Sequence, residues 1–299
     1  MIKTLLSYSI LLGSLIAQTT VPVRMVVTVE AHHSRDVPEV HREDVQAYQG
    51  KDRVRVTDWT PLRGEHAGLQ LYLLIDDGAD TSLGTQIDDL RKFVQAQPAS
   101  AQIGIAYMRN GAVQLTQAMT ADHDRAAKAI RLPLGDYGIA ASPYQALTDL
   151  IQKWPETHVR REVLMVTSGI DQYYTNGLDN PYLDRAIHDA ERAGIVVHSI
   201  YFSPAGHFAH SYARINWGQS YLSQLADGTG GESYWLGNGN PVSFSPFLDD
   251  LRQRLNNQYL LTFAARGEEK AGFQPVKLRT EIPHVELVGA DKVYVPAGR

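Results

Sequence analysis

The chain has 299 residues, 43% of them apolar and 20% charged, with a formal charge of -5 and no cysteine. That balance supplies a sizeable core and excludes a disordered, collagen-like or polytopic membrane chain, while the acidic charge excludes an electrostatic nucleic-acid binder. Without a thiol, disulfide scaffolds, zinc ribbons and cysteine nucleophiles are excluded as well.

Residues 1–17 (MIKTLLSYSILLGSLIA) place one Lys ahead of an apolar stretch that ends on the small Ala17. This is the pattern of a secretory signal peptide, and it is shorter than the ~20 apolar residues of a bilayer span. The expectation is a cleaved signal, a secreted or periplasmic protein, and no transmembrane span after cleavage. Residues 18–69 hold short β runs, Val23–Val29 and Arg53–Trp59, among polar turns.

Residues 70–255 alternate apolar runs with helical patterns, the signature of a mostly parallel α/β sheet. Leu69–Ile75 is nearly continuous in apolar residues, as suits a strand covered on both faces. Thr85 and Asp88 predict a capping-box start for a helix carrying Ile87, Leu90 and Val94. Asn110-Gly111, between Ile103–Met108 and Ala112–Leu115, predicts a tight hairpin. Ser142-Pro143 and Asn180-Pro181 each predict an N-cap followed by a first-turn proline, and Gly194 a helix stop. Val163–Thr167 and Ile195–Tyr201 are further buried strands, and Ser245-Pro246 opens a last helix with Leu248, Leu251 and Leu255 in register.

Residues 256–299 return to β texture in Tyr259–Ala264, Pro275–Glu281 and Val293–Val295. Neither flank is long enough for a secure core of its own. Together they are expected to form one β domain, a small sandwich, with the α/β domain inserted.

Ligands bind open α/β sheets at the carboxyl ends of the strands. Three loops fall there: Asp76-Asp77-Gly78-Ala79-Asp80, Gly138-Ile139-Ala140-Ala141 before Ser142, and Thr167-Ser168-Gly169-Ile170-Asp171. With Ala226-Asp227-Gly228-Thr229-Gly230-Gly231 further on, they resemble a von Willebrand factor type A domain. Arg42-Glu43-Asp44-Val45, Tyr48-Gln49-Gly50 and Gln258-Tyr259-Leu260-Leu261 resemble the flanks of the secreted bacterial (acidobacterial) VWFA-related proteins. The resemblance implies a Rossmann-like α/β fold of the von Willebrand A type, a mostly parallel sheet with helices on both faces, flanked by N- and C-terminal β elements. It also implies a non-enzymatic protein-binding role at the carboxyl-end face of the sheet.

The family's metal-ion-dependent adhesion site uses Asp-x-Ser-x-Ser, a Thr and a second Asp as hard oxygen ligands for Mg²⁺. On that pattern Asp76 fits the first Asp, Gly78 and Asp80 take the two Ser positions, Ala141 takes the Thr, and Ser168 takes the second Asp. Only Asp76, Asp80 and Ser168 can ligate through a side chain, so the site is degenerate, and the expectation is no cofactor or a weakly bound divalent cation.

Ser168-Gly169 does not make a nucleophile elbow, because Val166 and Ile170 stand where that turn needs glycine. The protein is therefore expected not to be an enzyme, with a hydrolase as the third alternative. His207 and His210 have His-x-x-His spacing with no third ligand nearby. Together with Tyr173, Tyr174 and Asp171 they form the candidate partner-binding rim. The alternative to a binding module is an assembly subunit of an envelope complex, with the same face covered and no metal.

Overall fold

The computed structural model describes residues 20–32, 37–136, 142–174, 177, 179–206 and 211–298. The apolar leader of residues 1–17, Ala141, His207 and His210 lie outside them.

Strands from both ends of the chain share one antiparallel sheet. β1 (Thr20–Ala31), β2 (Val45–Gln49), β3 (Asp52–Pro61), β10 (Gln258–Arg266), β11 (Gly272–Thr280), β12 (Val285–Gly289) and β13 (Lys292–Val295) run in the order β12-β1-β10-β3-β2-β11-β13. β10 lies between β1 and β3, with Val27 opposite Tyr259 on one side and Trp59 opposite Leu261 on the other. Period-two alternation turns Val23, Met25, Val27 and Val29 of β1 inward against Leu261, Phe263 and Ala265. Trp59 stacks on Tyr259 with ring centroids 4.5 Å apart, and its indole N–H donates to the Val40 carbonyl at 2.8 Å. The arrangement differs from the expected sandwich. Because β10 pairs along both edges, the two flanks join one ladder, and the sheet curls so that β13 approaches β1 and β12 approaches β11.

The second sheet contains β4 (Leu69–Asp76), β5 (Ala101–Arg109), β6 (Ala112–Thr120), β7 (Arg160–Thr167), β8 (Ile195–Tyr201) and β9 (Ser233–Tyr234), in the order β6-β5-β4-β7-β8-β9. Counted within this unit, that is the doubly wound order 3-2-1-4-5-6. All neighbours are parallel except β5 and β6, which form a hairpin turning on Asn110 (φ 53°) and Gly111 (φ 66°), the paired left-handed geometry of a type I′ turn. α1 (Ile87–Gln95), α2 (His123–Lys128) and α6 (Ser245–Asn256) cover the face of β4 that carries Leu71, Leu73 and Ile75. α3 (Pro143–Lys153), α4 (Pro181–Ala193) and α5 (Tyr212–Thr229) cover the face that carries Tyr72 and Leu74. Two covered faces account for the near-continuous apolar run of β4.

Local signals set most helix ends. The Ser142 hydroxyl accepts from the Gln145 N–H (3.3 Å), and the Asn180 side chain accepts from Tyr182 N (2.9 Å) and Leu183 N (3.3 Å). Gly194 ends α4 at φ 63°. One predicted start moves, while α6 begins at Ser245-Pro246 as expected. A 3-10 turn over Thr81–Gln86 precedes α1, Asp80 caps that turn, and the Thr85 hydroxyl bonds the Ser82 carbonyl instead of capping a helix. The cap position of α6 falls on Phe244, while the Ser245 N–H donates to Ser243 Oγ at 3.0 Å. Arg254 of α6 ties the two sheets together, pairing with Glu30 of β1 (2.7 Å), Asp250 (3.2 Å) and Glu232.

Candidate functional site at the strand ends

β4 and β7 end side by side, with Ile75 opposite Val166, and bring Asp76 next to Thr167. Asp76 is 8% exposed, and both its oxygens have partners: Oδ1 accepts from Gly78 N (2.8 Å) and Oδ2 from the Thr167 hydroxyl (2.7 Å). Burial pushes its pKa up to about 6, against those two hydrogen bonds, and the neighbouring Asp77 adds to the rise. Asp77 is fully buried and takes a two-pronged pair from Arg131 at 2.6 and 2.8 Å. The Asp77 carboxylate in turn raises the Arg131 pKa. The Arg131 guanidinium lies 3.8 Å from the centre of the Tyr107 ring, and the Tyr107 hydroxyl donates to Arg131 O (2.6 Å) and accepts from Arg131 N (2.7 Å).

The loop after β4 is pinned by the tail of β8. Asp80 N donates to Ser203 O at 3.0 Å, and Ala205 N donates to Gly78 O at 2.9 Å. The Asp80 carboxylate accepts from Ser82 N, and bonding to Ser82 holds its pKa below the ordinary value. Ser168 is 1% exposed and accepts from Ile170 N at 3.3 Å. Measured against the needs of a hard cation, Asp76, Gly78 and Ser168 do not fit. Asp76 is occupied by two donors, Gly78 presents an N–H, and Ser168 faces its own loop. Among the described residues no three His, Asp or Glu side chains converge on a point that could hold a metal ion.

Asp171, expected in the partner rim, is instead a buried brace at 1% exposure. Its Oδ2 accepts from the Ser142 hydroxyl (2.8 Å) and from Asn180 Nδ2 (3.2 Å), and its Oδ1 from Tyr173 N (2.8 Å) and Tyr174 N (3.2 Å). One carboxylate thus joins the caps of α3 and α4 to the tyrosine loop. Tyr173 remains half exposed, its ring 5.9 Å from that of Tyr182, and Tyr174 is half buried.

α5, which the sequence reading did not place, seals the underside of this loop. Gly169 has φ 67°, and a side chain there would run into the Gly218 carbonyl, just as one at Gly218 would run into the Ser168 carbonyl. Two backbones approach where only glycine fits.

Apolar side chains project outward around these braced loops. Leu132, Leu134, Tyr173, Tyr212, Trp235, Leu236 and Val242 are exposed, and among the described residues only Leu115 and Val159 are large exposed apolar groups elsewhere. The loops that carry them are knitted together: Gln86 Nε2 donates to Val242 O (2.9 Å), Ser203 N to Asn240 Oδ1 (2.7 Å), and Gln219 Nε2 to Gly237 O (2.7 Å). Sequence reasoning found Tyr173 but missed Trp235, Leu236 and Val242. The signal is the Trp235-Leu236 pair beside Gly237, two large apolar residues next to a turn residue.

No family model matches the chain, and no curated protein matches it. Solved structures do. An aerotolerance-related membrane protein from Bacteroides fragilis, carrying multiple mutations to serine, is 13% identical with a TM-score of 0.46, over 63% of this chain and 99% of that one. A von Willebrand factor type A protein from Catenulispora acidiphila is 8% identical with a TM-score of 0.46, over 92% of this chain and 74% of that one. The vWF domain of the type V pili tip protein Mfa5 from Porphyromonas gingivalis is 10% identical with a TM-score of 0.42, over 63% and 95%. In its strand order, its antiparallel edge hairpin and its two helical layers, the α/β unit of this chain has a doubly wound, Rossmann-like fold.

Proposed function

We propose that this chain is an exported, non-enzymatic protein-binding module that docks through the strand-end face without a metal ion. One observation carries the reading: at that face the polar side chains are turned inward and paired, while aromatic and aliphatic side chains point out. Asp76, Asp77 and Asp171 each hold at least two internal donors. Tyr173, Tyr212, Trp235 and Leu236 stand in solvent. Hydrogen-bonded loops carrying exposed Tyr and Trp suit a protein partner, because large rings with few rotors lose little entropy on contact. The same pairing speaks against a hydrolase, since Ser168 is buried and among the described residues its hydroxyl bonds no His, Asp or Glu side chain.

Export is proposed from residues 1–17, and no helix among the described residues is long and apolar enough to cross a membrane. Sequencing the amino terminus of the mature protein checks it, with a start shortly after Ala17 expected. For the binding role, cross-linking in the native envelope or secreted fraction should capture a partner with the wild type and with Leu115→Ser, a control outside the strand-end loops. Tyr173→Ser combined with Leu236→Ser should lose that partner, and a chelator should not. Retention by the double variant, or loss on chelation, would overturn the reading.

A further inference from the structure

We propose that the cavity between the β sheet and the amino-terminal pole of the α/β unit binds a small α-amino acid or dipeptide, with the ligand's ammonium on Glu191 and its carboxylate on the surrounding cations. The cavity lies at the opposite end of the parallel strands from the loops described above. It encloses 590 Å³ between β1 and β13 on one side and the starts of β7 and β8 with the end of α4 on the other. Junctions between packed units are a preferred place for ligand sites, which commonly measure ~300–1,000 Å³.

Two features of the lining attract a cation. Glu191 is 8% exposed, and its Oε2 is buried without a hydrogen-bond partner among the described residues. A buried carboxylate oxygen in that state is a standing cost that a donor would relieve. Glu191 also sits in the last turn of α4, at the negative end of the helix dipole. Burial pushes its pKa up to about 7, with Lys292 opposing the rise and Asp291 adding to it.

The other charged lining residues are mostly cations, with Glu65 as the one further carboxylate. Arg24 of β1 and Arg192 of α4 take part in no ion pair among the described residues, and Lys292 opens β13. Arg192 is held in place by the rings of Phe273 (5.5 Å) and Tyr294 (4.7 Å). Arg161 of β7 is already spent on the Ala193 carbonyl and serves as wall. A simple anion would leave the buried Glu191 Oε2 without a donor, whereas a zwitterion supplies that donor and sets its carboxylate among the solvent-exposed Arg24, Arg192 and Lys292. An ammonium seated on Glu191 stabilises its ionised form, so binding releases a proton near neutral pH and tightens as pH rises through about 7.

The test is isothermal titration and thermal melting of the purified full chain against the standard amino acids and simple dipeptides at millimolar concentration. Matched carboxylic acids without an amine, and amines without a carboxylate, run alongside. At least one zwitterion should raise Tm, and its affinity should fall about tenfold or more in Glu191→Gln and in Arg24→Gln. Should Glu191→Gln fail to fold, Arg24→Gln carries the comparison alone. Tyr173→Ala, in the strand-end loops, should bind like the wild type, which separates this site from the proposed partner face. The proposal is overturned if no zwitterion shifts Tm, if carboxylic acids without an amine bind equally well, or if both cavity variants keep wild-type affinity.

Discussion

Removing the Asp171 carboxylate should loosen the strand-end loops more than any other single change there. Four donors converge on it: the Ser142 hydroxyl, Asn180 Nδ2, and the amides of Tyr173 and Tyr174. Hydrogen bonds to a charged acceptor are worth about 1.5–3 kcal/mol each net, yet donors released together relax together. We therefore expect about 3–5 kcal/mol in all for Asp171→Ala, the range seen when a buried charged network is broken.

Asp171→Asn is the sharper probe. Its remaining carbonyl oxygen still serves the two amides, but its NH₂ now faces Ser142 and Asn180. The Ser142 hydroxyl can rotate to accept. Asn180 cannot flip, because its Oδ1 already caps α4 through Tyr182 N and Leu183 N. The expected cost is about 1.5–3 kcal/mol. Urea unfolding should show lower midpoints at unchanged slope, and hydrogen exchange should quicken at the amides of Tyr173, Tyr174, Tyr182 and Leu183. If Asp171→Ala costs under about 1 kcal/mol and leaves those amides protected, the brace assigned to this carboxylate does not exist.

Gly169→Ala must displace the Gly218 carbonyl or leave its positive φ, so a loss of about 2–4 kcal/mol in urea unfolding is expected. Tyr107→Phe removes the hydroxyl that bonds both Arg131 N and Arg131 O, and should cost about 1–3 kcal/mol by the same measurement. Because the folded state raises the Glu191 pKa from 4.5 to about 7, it holds more protons than the unfolded chain across that interval, and stability from this group declines as pH rises through it. Glu191→Gln should flatten the decline and be the more stable form at pH 8 by about 1–2 kcal/mol, allowing for solvent around the outer oxygen. Millimolar Mg²⁺, Mn²⁺ or Ca²⁺ should leave the melting temperature unchanged, whereas a site filled at ~100 times its Kd would add roughly 2.7 kcal/mol.

What the sequence disclosed and what it hid follow from the range of the forces involved. The Asn110-Gly111 hairpin, the caps at Ser142 and Asn180 and the stop at Gly194 depend on partners within a few residues, and each was legible. α5 was not. Its buried residues include Ile215, Gly218, Tyr221, Leu225 and Gly228, which share one side of the helix at three- and four-residue spacing, but glycines interrupt that apolar stripe and look like breakers. They serve close packing instead, Gly218 against the Ser168-Gly169 backbone and Gly228 against Ile187. β12 was missed for a related reason, being a five-residue strand that follows the left-handed His284 and ends on Gly289. Asp171 was misplaced because the hydroxyl and amide that bury it stand 29 and 9 residues away, and an acidic residue in a loop looks exposed until its partners are known.

The seat of β10 between β1 and β3 also sets an order of assembly. The segment through Pro61 has no central strand to pair with until residues 258–266 exist. At ~5–20 residues per second of synthesis, that is a wait of roughly ten to forty seconds with open strand edges and the apolar faces of Val23–Val29 and Trp59 uncovered. During that interval the early strands are a substrate for chaperones and a nucleus for wrong pairing. A route that keeps the chain unfolded until its last strand is available would present every partner at once and remove the hazard.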